Sequence, residues 1–363
     1  NIGSLPMFLR LGFSPRFLFT FRNSGMRKIF AISLPRVAAI SFNQVTHAIL
    51  IALASFLSAG SVSVFKFSTN LIYFPVGIFG VSYALAIFPK LSESASGKRG
   101  DEFLSELFFG IRNIVFWSLP IAFLFVVLRA HIVRVILGAG FFDWNDTRLV
   151  AASLAVLSFM IIFEGLNTLL LRAFYALEKT WAPLWANLSA SATTVFAALG
   201  ILGLFSYAPE TLRAFSAFLR VGDLAETQIL AVALAFSIGS VLNFFFLFAK
   251  LRSAATAAFG IETKETLRPF LKMFASAVLA GLVSWSALLP FPALLPTNTF
   301  LGIAAQGITA GIAGFLVYFG ALYVMKSEEL SSLTASFHKR FYSLKRQPSV
   351  FEVEKLDHHE TVK

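Results

Sequence analysis

Polar side chains recur at helical spacing inside a very apolar segment, residues 64–91. Lys66, Asn70 and Tyr73 lie three or four residues apart, so on a helix they share one face. Smaller residues extend that face, which comprises Lys66, Asn70, Tyr73, Gly77, Gly80 and Ala84. A cation or an amide inside a bilayer is costly unless it faces water or a partner. The pattern predicts a solvated cavity lined by Lys66 and Asn70. An ammonium near the end of its span can instead reach the lipid headgroups.

A second polar stripe lies in the preceding apolar segment, residues 33–58. Arg36, Asn43 and His47 fall on one helical face there, with Gln44 beside it. The Arg guanidinium suits phosphate, although a headgroup contact is the alternative for Arg36. No His or Cys stands at metal-ligand spacing from His47, so we expect it to hydrogen-bond in the cavity and to bind no metal.

Glu164 is the carboxylate that the sequence places deepest in an apolar segment, residues 149–177, and Arg172 follows it on the same segment. A carboxylate at this depth can carry a coupling proton or pair with a cation on a neighbouring helix. The sequence favours the pairing. Both side chains are included in the predicted cavity.

Pro75 lies in the middle of its apolar segment, with Gly77 two residues later. A proline inside a helix removes a backbone hydrogen bond and kinks the helix. The pair is therefore predicted to form a hinge. For Gly77 and Gly80 themselves, tight packing against another helix is the favoured interpretation.

The composition indicates a membrane protein with many spans. The chain has 363 residues, of which 57% are hydrophobic and 13% charged, whereas soluble domains contain about 25% charged residues. It has no cysteine, which excludes disulfides and thiolate metal sites. The net charge of +11 fits either a nucleic-acid or anionic-lipid binder or the basic bias of cytoplasmic loops.

Apolar runs long enough to cross a bilayer predict an all-α bundle of about eight transmembrane helices. They cover 33–58, 62–89, 108–128, 149–177, 181–206, 229–249, 269–290 and 299–325. Most of the 30 Lys and Arg residues then lie on one side, which predicts that both ends are cytoplasmic and that no nucleic acid is bound.

Four regions follow from these spans. Residues 1–32 are predicted to form a basic cytoplasmic linker, 33–249 a six-helix lobe, 250–325 two additional helices, and 326–363 a polar cytoplasmic tail. Residues 91–107 are predicted to be a short polar link that runs into an amphipathic turn, and 207–228 an outer loop of mixed charge. The chain begins with Asn1 and enters a basic loop at once, so we expect a fragment that lacks an N-terminal part.

Asp143 and Asp146 form the closest acidic pair on the predicted outer side. They could be the catalytic carboxylates of a membrane glycosyltransferase. Capping of the following helix is the favoured interpretation.

Two long segments read "ASFLSAGSVSVFKFSTNLIYFPVGIFGVSYALAIFPKLSE" and "LLLRAFYALEKTWAP". They resemble the MurJ/MviN family of lipid II flippases. The stretches "LGFSPRF" and "MRKIFAISLPR" resemble the linker and helix start that precede them. The resemblance implies the second lobe and two extra helices of a fourteen-helix exporter, the extra helices forming a groove for the lipid tail. Its substrate would be undecaprenyl-pyrophosphate-linked disaccharide-pentapeptide.

The resemblance also implies a location in the bacterial inner membrane, alternating access, no covalent chemistry and no cofactor. The implied partners are lipid II or another polyprenyl-pyrophosphate-linked glycan, membrane lipids and the first lobe. Two departures stand out: Asn70 replaces an Arg found in many members, and Leu50, Asn187 and Ser191 occupy positions where some members bind sodium through carboxylates. The alternatives are a drug antiporter or polysaccharide exporter of the same superfamily.

Overall fold

The computed structural model of the chain describes residues 24–138, 144–224, 226–260, 267–290 and 299–335. Within them the chain is a bundle of helices joined by short connections. In order these are α1 Ser24–Ser55, α2 Ser61–Pro75, a π-helical segment Val76–Val81, α3 Ser82–Ser96, α4 Gly100–Leu137, α5 Trp144–Leu157, α6 Met160–Ala176, α7 Trp181–Tyr207, α8 Pro209–Phe218, α9 Ile229–Phe259, α10 Arg268–Leu288 and α11 Phe300–Val324. The predicted all-α membrane bundle is confirmed.

Seven described helices are long and apolar enough to cross a membrane, and the count rises to eight if α5 and α6 form one span. The chain is therefore a multi-pass membrane protein. α2, the π-helical segment and α3 together form one such span, Ser61–Ser96. Two helix boundaries of the bundle are marked by glycines with a left-handed backbone, a conformation that a Cβ disfavours. Gly60 precedes α2 with φ 88°, and Gly260 follows the end of α9 with φ 71°.

The fourth predicted span is bent, in contrast to the continuous helix expected over 149–177. α5 and α6 meet at an angle of 47°, and Ser158 and Phe159 separate them. The Ser158 hydroxyl donates to the carbonyl of Leu154, at 2.6 Å. Such a bond competes with the backbone hydrogen bonds of the helix. The apolar run continues across the break, so hydropathy alone does not predict the bend.

Two predicted connections are largely helical, so both predictions were wrong. The link expected over 91–107 shrinks to residues 97–99, because α3 runs to Ser96 and α4 starts at Gly100. The outer loop expected over 207–228 contains α8, which has a proline in its first turn. The charged residues in these two segments favour a loop over a membrane helix. Membrane helices nevertheless often extend beyond the hydrocarbon as charged helix, as they do here.

The segment after α8 is fastened to the bundle by Arg148 at the start of α5. Its guanidinium donates to both carboxylate oxygens of Asp223, at 2.6 and 2.5 Å, and to the carbonyl of Arg220, at 2.7 Å. Arg129 of α4 donates to the carbonyl of Leu219, at 3.0 Å. These contacts hold the segment after α8 against α4 and α5.

We expect Asp223→Asn to loosen these contacts. The two hydrogen bonds from Arg148 lower the pKa of the Asp223 carboxyl, so the clamp is present above the ordinary Asp pKa of about 3.9. It is lost as the pH falls through the lowered folded value. At neutral pH, hydrogen exchange of residues 219–224 should be about twofold to fivefold faster in the variant, the range typical of an exposed pair. Glu226→Gln is the charge-matched control, and equal exchange in both variants would contradict the clamp.

Two separate apolar cores occupy the two ends of the bundle. One core joins α3, α4, α6, α9, α10 and α11, with Leu91, Phe103 and Phe174 fully buried. The other joins α1, α2, α4, α5, α6 and α9, with Leu50, Phe65 and Leu154 fully buried. On α6 the second core ends at Ile161 and the first begins at Leu166. A polar layer between the cores therefore lies near mid-height.

Candidate functional site

A polar cavity of about 170 Å³ occupies the layer between the two cores. It is walled by α1, α2, α6, α7 and α9. Its lining comprises Asn43, Gln44, Thr46, His47, Tyr73, Glu164, Asn167, Thr168, Leu171, Ala190, Ser191, Thr194, Phe236, Gly239, Ser240 and Asn243. Asn43, Gln44 and Tyr73 are also exposed, so the cavity opens between α1 and α2. Sites at this height, between helices, are typical of secondary transporters.

Glu164 supplies the carboxylate of the cavity. Its Oε1 accepts a hydrogen bond from the Ser240 hydroxyl of α9, at 2.6 Å. Among the described residues it forms no ion pair, so the predicted pairing with a cation of a neighbouring helix is not observed in that part of the chain. The helix crossing explains this contact, since it brings the small residues of α9, not a Lys or Arg, to face α6. Charge-assisted hydrogen bonds of this length are among the strong ones.

Side-chain amides continue the network away from Glu164. Asn167 donates to the carbonyl of Ser240, at 3.2 Å. On the other side Asn243 donates to Oδ1 of Asn187, at 3.3 Å, and Asn187 donates to the carbonyl of Ala39, at 3.2 Å. All three amides are at least nine-tenths buried. They tie α6 to α9 and α9 through α7 to α1, so four of the five cavity walls share one hydrogen-bonded frame.

His47 sits among aromatic rings at the cavity wall. Its ring centroid lies 5.6 Å from that of Phe65, 5.2 Å from that of Phe236 and 6.4 Å from that of Tyr73. These contacts hold the imidazole between α1, α2 and α9. No group of three His, Cys, Asp or Glu side chains in the described part of the chain is arranged to hold a metal.

The structure places the predicted cavity residues in three settings. Asn43, His47 and Glu164 line the cavity. Lys66 and Asn70 do not line it but are exposed on the Tyr73 face of α2, beside its mouth. Arg172 is half-buried on α6, two turns from Glu164. Arg36 lies on α1, and its side chain falls outside the described part of the structure.

The predicted hinge coincides with a change of helix type. Pro75 is the last residue of α2, and Gly77 lies in the π-helical segment that follows. A Cβ at Gly77 would meet nothing within 4 Å, whereas one at Gly80 would lie 2.5 Å from the Cα of Gly165. Gly80 is therefore packed tightly against another helix, as expected, whereas Gly77 is not. π-helical turns often occur at functional sites.

The acidic pair considered for catalysis lies only partly within the described residues. Asp146 lies in the first turn of α5, and Asp143 lies outside the described residues. The favoured capping role is typical of an acidic residue at that end of a helix, where the helix dipole is positive.

Polar residues of α9 were missed from the sequence. Ser240 and Asn243 are three residues apart within the apolar run 229–249, and both line the cavity. Their spacing is the helical signal already seen on α1 and α2. It could have been found there, because an Asn in a membrane helix usually faces protein or water.

The chain matches the family described as "Lipid II flippase MurJ" over residues 2–285. It is 25% identical to the lipid II flippase MurJ of Burkholderia cenocepacia over 86% of this chain and 54% of that protein. It is 25% identical to the probable lipid II flippase MurJ of Haemophilus influenzae over 77% of this chain and 51% of that protein. The chain thus spans about half the length of these relatives.

A solved structure described as "Lipid II flippase MurJ, inward closed conformation" has the same fold. The superposition gives a TM-score of 0.61 at 19% identity and covers 89% of this chain and 60% of that one. Shared helix architecture and a sequence match over most of the chain agree. This chain belongs to the lipid II flippase MurJ family.

Proposed function

We propose that this chain forms the second lobe and two extra helices of a flippase that moves lipid II, a polyprenyl-pyrophosphate-linked glycan, across the bacterial inner membrane. Family membership supports the substrate class. The observation that carries the proposal is the polar cavity at mid-height, whose mouth adjoins the exposed Lys66 and Asn70. A pyrophosphate headgroup cannot cross hydrocarbon unaided, because burying its charge without partners costs far more than thermal energy.

The exposed face of α2 is the surface on which the headgroup would travel. Lys66, Asn70 and Tyr73 are exposed on one face of α2. The opposite face carries the buried Phe65 and Ile72. These relatives are about twice as long as the part that this chain matches, and a first lobe in the remainder would cover this face and close a wet passage. Rocking of the two lobes then exposes the passage to each side in turn. The prenyl tail stays in lipid along α10 and α11, and no covalent bond is made or broken.

The transport proposal is tested with the full-length protein in proteoliposomes. Labelled lipid II is incorporated, and its arrival in the outer leaflet is followed with an impermeant reagent that modifies the exposed sugar. We expect arrival to depend on the protein. Equal arrival without it, together with export of a cationic dye, would instead favour the drug antiporter. Synthesis of glycan polymer in the same vesicles would favour the glycosyltransferase.

Lys66→Gln should slow this transport about tenfold, the loss expected for one charge contact of about 1.4 kcal/mol. Its ammonium is the exposed cation closest along α2 to the cavity residue Tyr73. Lys66→Arg should retain most of the rate, because it keeps the charge. Lys250→Gln is the control, since Lys250 is equally exposed but lies on α9 near the end predicted to be cytoplasmic. Unchanged transport in Lys66→Gln would remove Lys66 from the passage.

Orientation is part of the proposal. Both described ends of the bundle, the start of α1 and the end of α11, would face the cytoplasm under the basic-residue rule. Cysteine labelling from outside the cell tests it, since these 363 residues contain no cysteine. A cysteine placed at Glu226 should react, and one placed at Lys98 should not. The reverse pattern would invert the topology.

A further inference from the structure

Three arginines meet at the turn that follows α8, residues 219–223, at the end of the bundle predicted to be outer. Arg129 of α4 donates to the carbonyl of Leu219, and Arg148 of α5 donates to the carbonyl of the next residue, Arg220. Consecutive residues are about 3.8 Å apart along the chain, so these two guanidinium groups are neighbours. The side chain of Arg220 starts from the same turn, and the turn supplies one carboxylate, that of Asp223, which pairs with Arg148.

The positive charges of Arg129 and Arg220 are not balanced. Neither side chain forms an ion pair with another described residue, and the two charges act unfavourably on each other. Arg129 is half-buried, whereas Arg220 is exposed. A cation without a counter-charge is costly where water is partly excluded. The bond to the carbonyl of Leu219 explains where Arg129 lies, but it does not explain a second cation beside it.

Two other arginines at this end have partners of their own. Arg213 of α8 forms an ion pair with Glu210, and the guanidinium of Arg134 lies 5.2 Å from the centroid of the Trp144 ring. The excess of positive charge is therefore concentrated at the turn, where three guanidinium groups meet one carboxylate. A guanidinium has five N–H donors, so donors remain beyond the carbonyl and carboxylate contacts. An anion bound there would reduce the excess of charge.

The turn lies at the height expected for lipid headgroups. Arg129 directly follows the apolar run 108–128, and Tyr207 directly follows the apolar run 181–206. Tyr207 precedes α8 and Phe218 ends it, and these side chains are 92% and 82% exposed. Exposed aromatic side chains beside basic ones are typical of the boundary between lipid and water. Lipid phosphates are concentrated at this height, so membrane lipid is the nearest source of an anion.

We propose that Arg129 and Arg220 bind the phosphate of an anionic phospholipid in the leaflet at this end of the bundle. Guanidinium groups match phosphate because each can donate two parallel hydrogen bonds to its oxygens. Phosphatidylglycerol brings one net negative charge, whereas the choline of phosphatidylcholine offsets its own phosphate. The bound phosphate would link α4 to the turn that leads to α9. The proposal goes beyond the transport of lipid II and does not rest on it.

The test measures hydrogen exchange of residues 216–224 in the full-length protein, held in nanodiscs of phosphatidylcholine with or without phosphatidylglycerol. A ligand that binds only the closed turn slows exchange by one plus the ratio of its concentration to Kd. We expect exchange about tenfold slower when the lipid exceeds its Kd tenfold. Arg220→Gln should lose most of this slowing. Arg213→Gln is the matched control, because it removes an exposed arginine from the same end and should keep the slowing.

Arg220→Gly separates binding from folding. Arg220 has φ 63°, a left-handed conformation that glycine adopts without strain. This variant should therefore exchange at about the wild-type rate in pure phosphatidylcholine, yet lose the response to phosphatidylglycerol. Arg220→Lys keeps the charge without the planar fork, so its response should lie between those of the wild type and Arg220→Gln.

Two further ligands distinguish the source of the phosphate. Inorganic phosphate, at constant ionic strength, and undecaprenyl pyrophosphate are each added to the protein in phosphatidylcholine nanodiscs. Equal slowing by free phosphate would assign the site to a soluble anion, and slowing by the pyrophosphate alone would make it a contact for the transported lipid.

Either of those results would overturn the proposal. So would the absence of a phosphatidylglycerol effect in the wild type, or an undiminished effect in Arg220→Gln. Transport of lipid II is not measured in this experiment, so its failure would leave the proposed function as it stands.

Discussion

Gly80→Ala should destabilise the folded lobe and slow its transport, whereas Gly77→Ala should leave its stability unchanged or improve it. The two glycines belong to the same π-helical segment, Val76–Val81. A Cβ at Gly80 would lie 2.5 Å from the backbone Cα of Gly165, and one at Gly77 would meet nothing within 4 Å. The same methyl group is therefore added once at a tightly packed helix crossing, at Gly80, and once into open space, at Gly77.

The magnitude follows from what must move. Real Cβ atoms do not approach backbone so closely, so the α6 helix must shift away from the segment, and overpacking of this kind costs about 1–3 kcal/mol. At Gly77 the alanine gains up to about 1 kcal/mol through reduced freedom of the unfolded chain. Glu164 is next to Gly165, so the shift also disturbs the cavity.

Unfolding of both variants in mixed micelles, followed by tryptophan fluorescence, measures the difference. Gly165→Ala should fall between them, because its Cβ meets a methyl group of Ile114 at 2.9 Å and the Gly80 Cα at 3.2 Å. A Gly80→Ala protein as stable as Gly77→Ala would mean that the two helices do not cross at this point. Transport by Gly77→Ala is informative separately, since a loss without destabilisation would support the hinge.

The apolar spans were predictable because each signal is local. About 20 successive apolar residues predict a membrane helix regardless of the rest of the fold, and α7 and α11 match their predicted spans within about two residues. The ends of α3, α4 and α9 were not predicted. They project beyond the apolar stretch as charged helix, and hydropathy does not distinguish such helix from loop.

The cavity was half predictable. The spacing of Asn43 and His47 on α1 and the depth of Glu164 identified three of its members from the sequence. What joins them is the packing of α9 against both α6 and α7, and the approach of α9 to α7 is close at Gly239. A Cβ there would collide with the Thr194 side chain of α7. Which helices meet is a property of the whole bundle, so the contact between Ser240 and Glu164 was not visible in a single segment.

Asn187→Leu should detach α1 from the bundle. Asn187 is 1% exposed and joins three helices, because it donates to the carbonyl of Ala39 and accepts from Asn243. Leucine is similar in size but cannot make either bond. α1 packs chiefly on α7, so these bonds lie at its main attachment.

The expected loss of stability is about 1–3 kcal/mol, the cost of leaving a buried polar group without its partner. Membrane proteins fall toward the lower end of this range, since interhelical hydrogen bonds there average about 0.6 kcal/mol. The substitution should therefore accelerate hydrogen exchange more in α1 than in α4. The cavity should also lose the wall that carries Asn43 and His47. Ser189→Ala is the matched control, because that hydroxyl bonds only to Ala186 of its own helix.

Exchange in α1 separates a local from a global effect. If Asn187→Leu weakens every helix equally, the amide acts as part of the general core. If α1 alone is released, the frame of amides positions the mobile wall of the cavity, and occupation of the cavity should be coupled to the docking of α1. Unchanged exchange in α1 would show that apolar packing on α7 is sufficient to hold it, and the Asn187 network would then have no part in shaping the site.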